Sequence, residues 1–207
     1  MSFAADTAAN RQRIVFASGN VGKAREIEAM LGEDFAVVLQ GDLGIDSVEE
    51  TGATFAANSR LKAEHAARLS GLPALADDSG IEVDALDGAP GVISARYAGV
   101  GSSDADNLQK LLHELRDVPA EKRSARFRCV LTYMRSADDL APLVAEGRWE
   151  GNIAFAPSGD GGFGYDPVFV DADSGIVSAA MPAAEKNARS HRGKALQELR
   201  RLLADAS

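Results

Sequence analysis

Two short β-rich runs, residues 13–17 (RIVFA) and 35–39 (FAVVL), flank a helical stretch, and that order constrains the fold more than any other feature of the chain. Residues 23–31 set Ile27, Met30 and Leu31 on one face at helical spacing. A strand, a crossover helix and a second strand make a parallel pair, so the class is α/β. The next helix covers residues 54–69, is rich in alanine and stops before Gly71 and Pro73. A short strand at 74–76 leads into Asp77-Asp78-Ser79-Gly80, expected as a loop, and Ile81 and Val83 alternate with charge beyond it. Ser103 caps a helix whose Leu108, Leu111, Leu112 and Leu115 fall at i, i+3, i+4 and i+7. Residues 126–135 read as a strand with Phe127, Cys129, Leu131 and Tyr133 on one face, and 143–149 as its antiparallel neighbour. Residues 168–170 give another short strand. A last helix starts at about Arg192, with Leu196, Leu199, Leu202 and Leu203 inward. No Pro- or Ser-rich linker interrupts the order. The expectation is one α/β domain on a mixed sheet, in two lobes whose cleft gathers the loops.

Composition narrows the partners. The chain has 207 residues, 22 Lys and Arg against 31 Asp and Glu, and a formal net charge of −9. An acidic chain lacks the basic face that non-specific nucleic-acid binding needs, so no nucleic-acid partner is expected. An anionic substrate would require a local gathering of Lys, Arg and metal. The single cysteine, Cys129, excludes an internal disulfide and any Cys-rich zinc site, which points to a reducing, cytoplasmic setting. No apolar run approaches the roughly 20 residues of a membrane helix. Residues 1–12 are small and polar, without an apolar signal core, and read as a disordered leader.

Four segments carry chemistry. Ser18, Gly19, Asn20, Val21, Gly22 and Lys23 join a strand end to a helix start, where free N–H groups and the positive helix end favour an anion. The turn is not a Walker A loop, because Ala17 and Ala24 stand where that motif needs Gly and Ser or Thr. An ordinary strand-to-helix turn has the same sequence. Asp77 and Asp78 are adjacent carboxylates that need a cation if buried, and oxygen ligands suit Mg2+. A polar turn is the plainer alternative. Glu49 and Glu50 offer further acidic groups. Residues 158–167 formally contain GxGxxG from Gly159 to Gly164, but Pro167 and a β-branched run follow instead of a helix, so a dinucleotide fingerprint is rejected. Phe163 and Tyr165 in that loop either stack a purine or pack as buried aromatics. Finally, five of the nine residues 186–194 can carry positive charge, Lys186, His191 and Arg192 among them. His65 and His113 lack metal spacing.

Taken in order, SGNVGK, EETGATF, ADDSGIEVDALDGAPGVISARYAG, FGYDPVF and SHRGKAL resemble the inosine/xanthosine triphosphate pyrophosphatase family, from about Arg13 to the end of the chain. Ser18 stands where the family usually has Thr. The resemblance implies an elongated mixed β-sheet flanked by helices, two lobes with a central cleft, and a homodimer. It implies that Ser18 to Lys23 hold a triphosphate and that Asp78 is the catalytic carboxylate at a Mg2+ shared with Glu50 or, second, Glu49. It also implies that Ser79, Asn58 and Lys62 contact substrate. Phe163, Gly164, Tyr165 and Asp166 would line a base pocket closed by Lys186, His191 and Arg192. Substrates would be ITP, dITP and XTP, cleaved to the monophosphate and pyrophosphate. A pyrimidine-directed enzyme of the same architecture and a silent nucleotide-binding protein are the alternatives. SHRGKAL and FGYDP argue against the first, and the presence of both Asp78 and Glu50 against the second.

Overall fold

The computed structural model describes residues 11–31 and 35–206. The opening pattern folds as its order demands: β1 (Gln12–Ala17), α1 (Val21–Leu31) and β2 (Phe35–Leu39). The two strands run parallel, with Val15 opposite Val38. α2 (Phe55–Ser70) then crosses to β3 (Ala74–Val83), which is parallel to β1 on its other side, Ala17 opposite Ala76. α3 (Asp104–Glu114), β4 (Ser124–Met134), β5 (Leu143–Ile153) and β6 (Phe169–Asp171) follow, and α4 (Ala183–Arg189) and α5 (His191–Asp205) close the chain. The sheet order is β2-β1-β3-β4-β5-β6, and β5 and β6 are antiparallel, so the sheet is mixed and the fold α/β, as expected.

Local chemistry sets the helix ends. The Thr54 hydroxyl accepts the Ala57 N–H at 3.1 Å, and α2 stops at Gly71, which takes φ +68° and donates its N–H to Ala67 O. Ser103 and Asp106 form a reciprocal capping box at α3. None of the described helices is long and apolar enough to cross a membrane.

The chain divides into two compact units. The first holds residues 1–78, 130–145 and 199–207, and the second holds 79–129 and 146–198. In the first, Ala63, Ala66 and Ala67 of α2 pack on Val15 and Ala17 of β1 and on Ala74 and Ala76 of β3. Small side chains on both partners keep helix and sheet close, which explains the alanine richness of α2. In the second, the α3 stripe of Leu108, Leu111 and Leu115 packs with Ile81, Val83, Phe127, Trp149 and Phe169. The Phe127 and Phe169 ring centroids are 4.6 Å apart. α5 begins directly on β5, because a Cβ on Gly147 would lie 2.0 Å from the His191 carbonyl oxygen.

Several expectations need correction. Asp77-Asp78-Ser79-Gly80 is not a loop but the middle of the ten-residue β3. Apolar Leu75, Ile81 and Val83 keep the ladder going on both sides of the polar tetrad, and two lysines neutralise the carboxylates, as described below. β5 runs on to Ile153, past the expected end at 149. The basic run 186–194 splits between α4 and α5, with Ser190 between them accepting the Gly193 N–H at 3.0 Å. Of the expected leader, residues 1–10 lie outside the described residues, and Gln12 is already the first residue of β1.

Asp171, at the end of β6, gives the second unit an acid sensitivity. Its carboxylate is buried and accepts the Trp149 indole N–H at 2.7 Å and the Ser174 hydroxyl at 2.7 Å. Burial alone would raise its pKa, but these bonds and the Ser174 backbone N–H outweigh it and hold the group below its ordinary 3.8. A folded pKa below the unfolded one contributes stability at pH above 3.8 and loses it as pH falls through the folded value. Asp171→Asn should therefore cost about 1–3 kcal/mol at neutral pH. Its deficit against the parent should shrink below pH 3.8. Denaturant titrations followed by Trp149 emission, the chain's single tryptophan, measure both.

Candidate active site

In the first unit, β3 carries the two carboxylates. Successive strand residues point to opposite faces, so Asp77 and Asp78 diverge. Asp78 shares its face with Ala74 and Ala76, the side on which α2 packs, and Lys62 of α2 reaches it there, Nζ to Oδ1 2.7 Å. Asp77, fully buried on the other face, meets Lys23 of α1 at 2.5 Å. Each helix thus supplies the cation for the carboxylate on its own side.

Lys62 also bonds Glu50 Oε1 at 2.8 Å, so one ammonium bridges the two carboxylates expected at the metal. Glu49 is exposed, and Glu50 is the glutamate that meets Lys62. Burial pushes the Asp78 carboxyl above the ordinary carboxylate range; Lys62 and Lys23 pull it back in part, and Glu50 raises it further. Burial works to lower the Lys62 ammonium, but its two carboxylates outweigh that and hold it above its usual value. Asp78 Oδ2 is buried and has no hydrogen-bond partner among the described residues. A buried carboxylate oxygen is costly to leave unbonded, and groups in that condition cluster at functional sites. Asn58, fully buried on α2, accepts the Gly52 N–H at 2.7 Å through Oδ1, while its Nδ2 finds no partner among the described residues.

The turn before α1 is built as an N-cap. Asn20 Oδ1 accepts the Lys23 N–H at 3.0 Å, and Ser18 Oγ accepts the Asn20 N–H at 3.1 Å. Gly19 and Val21 are exposed. Val21 and Gly22 open the helix, where N–H groups have no intrahelical acceptor. The anion-binding capacity expected of the turn therefore lies in Val21 and Gly22, since the Lys23 N–H is already capped.

In the second unit, Asp166 organises the glycine-rich loop. Buried to 3% exposure, it accepts the Phe163 N–H at 2.8 Å, the Ser178 hydroxyl at 2.7 Å and the Lys186 ammonium at 2.7 Å. Gly162 takes φ +76°, and a Cβ there would strike the Asp166 carboxylate at 2.2 Å. Phe163 remains half-buried, with Lys186 Nζ 5.1 Å and Arg192 Cζ 5.9 Å from its ring centroid. Arg192 donates to Ser79 Oγ at 3.0 Å. Phe163, Lys186, Arg192 and Ser79 are thus brought together. Gly164 donates its N–H to Asp104 at the start of α3. Tyr165 is buried and donates its hydroxyl to the Ser94 carbonyl at 2.8 Å, and His191 is buried and stacks on Phe127 with centroids 4.7 Å apart.

Comparison with known proteins matches this arrangement to one family. Residues 14–202 match the Ham1 family. The chain belongs to the Ham1 family. A relative in Shigella flexneri, named dITP/XTP pyrophosphatase, is 55% identical over 94% of this chain and 98% of its own length. The structure of a Ham1 protein from Coxiella burnetii superposes with a TM-score of 0.85 at 45% identity, covering 94% of this chain and 99% of that one. The Staphylococcus aureus Ham1 protein gives 0.82 at 38% identity, covering 95% and 100%.

Some residues of this Ham1 chain went unnoticed in the sequence. Ser94, inside ADDSGIEVDALDGAPGVISARYAG, and Asp104, at the start of α3, anchor the aromatic loop without either being singled out from the sequence. Asp77 was visible, but only strand alternation separates its structural pairing from the role of Asp78.

Proposed function

We propose that this Ham1 chain hydrolyses purine nucleoside triphosphates bearing hypoxanthine or xanthine (ITP, dITP and XTP) to the monophosphate and pyrophosphate. The observation that carries this is Asp78: a buried carboxylate, raised in pKa, with one oxygen on Lys62 and the other without a hydrogen-bond partner among the described residues. Relatives more than half identical to the chain are named dITP/XTP pyrophosphatases, which supports the same substrate class.

Water attacks the α-phosphorus, a new P–O bond forms, and the bond to the bridging oxygen breaks with pyrophosphate leaving. Asp78 Oδ2 takes the water proton, a role that a raised carboxyl pKa suits. Lys62 holds Asp78 and Glu50 in place and, with Lys23, keeps positive charge beside the phosphates, while the Val21 and Gly22 N–H groups receive phosphate oxygens. Ser18, Gly19, Asn20 and Asn58 shape that cradle. Two carboxylates fit Mg2+, which takes one or two of them together with phosphate oxygens. Asp78 and Glu50 would hold it, and when bound it would neutralise charge on the leaving group.

The second unit's groups suit the base. Phe163 offers a ring for stacking, and Arg192 and Lys186 donate toward a 6-oxo group. Adenine would set its 6-amino donor against those donors, a mismatch that discriminates strongly when buried. Guanine shares the 6-oxo group, so these donors do not reject it. A homodimer and a cytoplasmic setting belong to the same proposal.

The test is product analysis with Mg2+ and dITP, XTP, dATP, dGTP or dTTP. Pyrophosphate should appear, with dITP and XTP turned over well ahead of dATP and dTTP. Orthophosphate alone, or equal use of all five, would sink the proposal.

A further inference from the structure

The walls of the second unit's purine groups are joined by one residue that the proposed chemistry does not use. Ser94 is 5% exposed and bonds in three directions. Its Oγ accepts the Ile81 N–H of β3 at 3.0 Å and donates to Gly91 O at 2.5 Å. Its carbonyl accepts the Tyr165 hydroxyl at 2.8 Å. The contact with β3 leaves no slack, because a Cβ on Gly80 would lie 2.4 Å from both Gly91 O and Ser94 Oγ. Ser79, which receives Arg192, is the next residue along β3. On the other side, Tyr165 adjoins Asp166, and Asp166 fixes the Phe163 N–H. The Tyr165 carbonyl also accepts the Val168 and Phe169 N–H groups, so its backbone and its phenol are both pinned.

We propose that Ser94 and Tyr165 are positioning residues for the purine: their bond sets the spacing between Ser79 with Arg192 on β3 and the Phe163 loop, and so how firmly the base is clamped. Neither side chain need touch substrate. This assigns Tyr165 a role behind the pocket rather than in its lining, and it rests on the purine-triphosphate function proposed above.

Tyr165→Phe is the decisive variant, because it keeps the ring's packing and removes only the phenolic oxygen; Ser94→Ala, which keeps the carbonyl that Tyr165 meets but removes the Oγ that ties residue 94 to Ile81 and Gly91, serves as the second. Losing one buried hydrogen bond that acts on ground-state and transition-state binding alike should raise KM for dITP about three- to tenfold while kcat stays within about twofold. Inhibition by inorganic tripolyphosphate, which carries no base, should keep its Ki. A lowered Tm with unchanged KM for dITP would overturn the inference, since the bond would then serve stability alone. So would a joint shift of KM and tripolyphosphate Ki. Failure of the underlying function looks different: the parent protein itself would release no pyrophosphate from dITP.

Discussion

Asp78→Asn should release pyrophosphate from dITP at least about 10²–10⁴-fold more slowly than the parent while folding normally, because it removes the group that takes the proton. Folding survives for a definite reason. Lys62 keeps Glu50 at 2.8 Å, so its ammonium is not left without a carboxylate. The variant also removes a charge that burial disfavours. A raised folded pKa means that Asp78 detracts from stability at pH above that value, a penalty that fades as pH falls toward 3.8. Asp78→Asn should therefore be as stable as the parent at neutral pH or more so, by denaturant unfolding. For activity the sign is opposite: only ionised Asp78 accepts a proton, so kcat/KM in the parent should climb as pH rises through a value above 3.8. Near-parental turnover in Asp78→Asn would remove Asp78 from the chemistry.

Asp166→Ala should be the most destabilising single change in the aromatic loop, at about 3–5 kcal/mol, since it takes the carboxylate from a buried ammonium and the acceptor from two further donors. The Lys186 side chain is 9% exposed and cannot turn to water without moving α4. Removing both charges together should hurt less. The double variant Asp166→Ala/Lys186→Met, measured by the same denaturant curves, should recover part of the loss. If the double variant is as unstable as the sum of the single ones, the pair is not coupled as its 2.7 Å contact implies.

How far the sequence reached differs between fold and site. Periodicity located β1, α1, β2 and the capped α2 and α3, because local caps and apolar spacing decide those elements. It broke β3 at Asp77, since two adjacent carboxylates look like a turn until their cations are known, and those cations lie 54 and 16 residues away. Residue type and order singled out Asp78, Glu50, Lys62 and Arg192. Sequence could not separate Glu49 from Glu50, which differ only in which one reaches Lys62. Nor could it foresee that the Tyr165 hydroxyl goes to the Ser94 carbonyl or that His191 stacks on Phe127, because both partners lie far along the chain.

The adjacent pair on β3 also limits how this chain can change length. Which aspartate faces α2 is a matter of odd and even count along the strand. Removing one residue between Ala74 and Asp77 would deliver the wrong aspartate to each lysine. Removing two would restore the facing but carry both carboxylates about 6.6 Å along the strand, beyond the reach of the 2.7 Å contact with Lys62. Count and spacing from Ala74 to Asp78 together fix where each carboxylate meets its lysine.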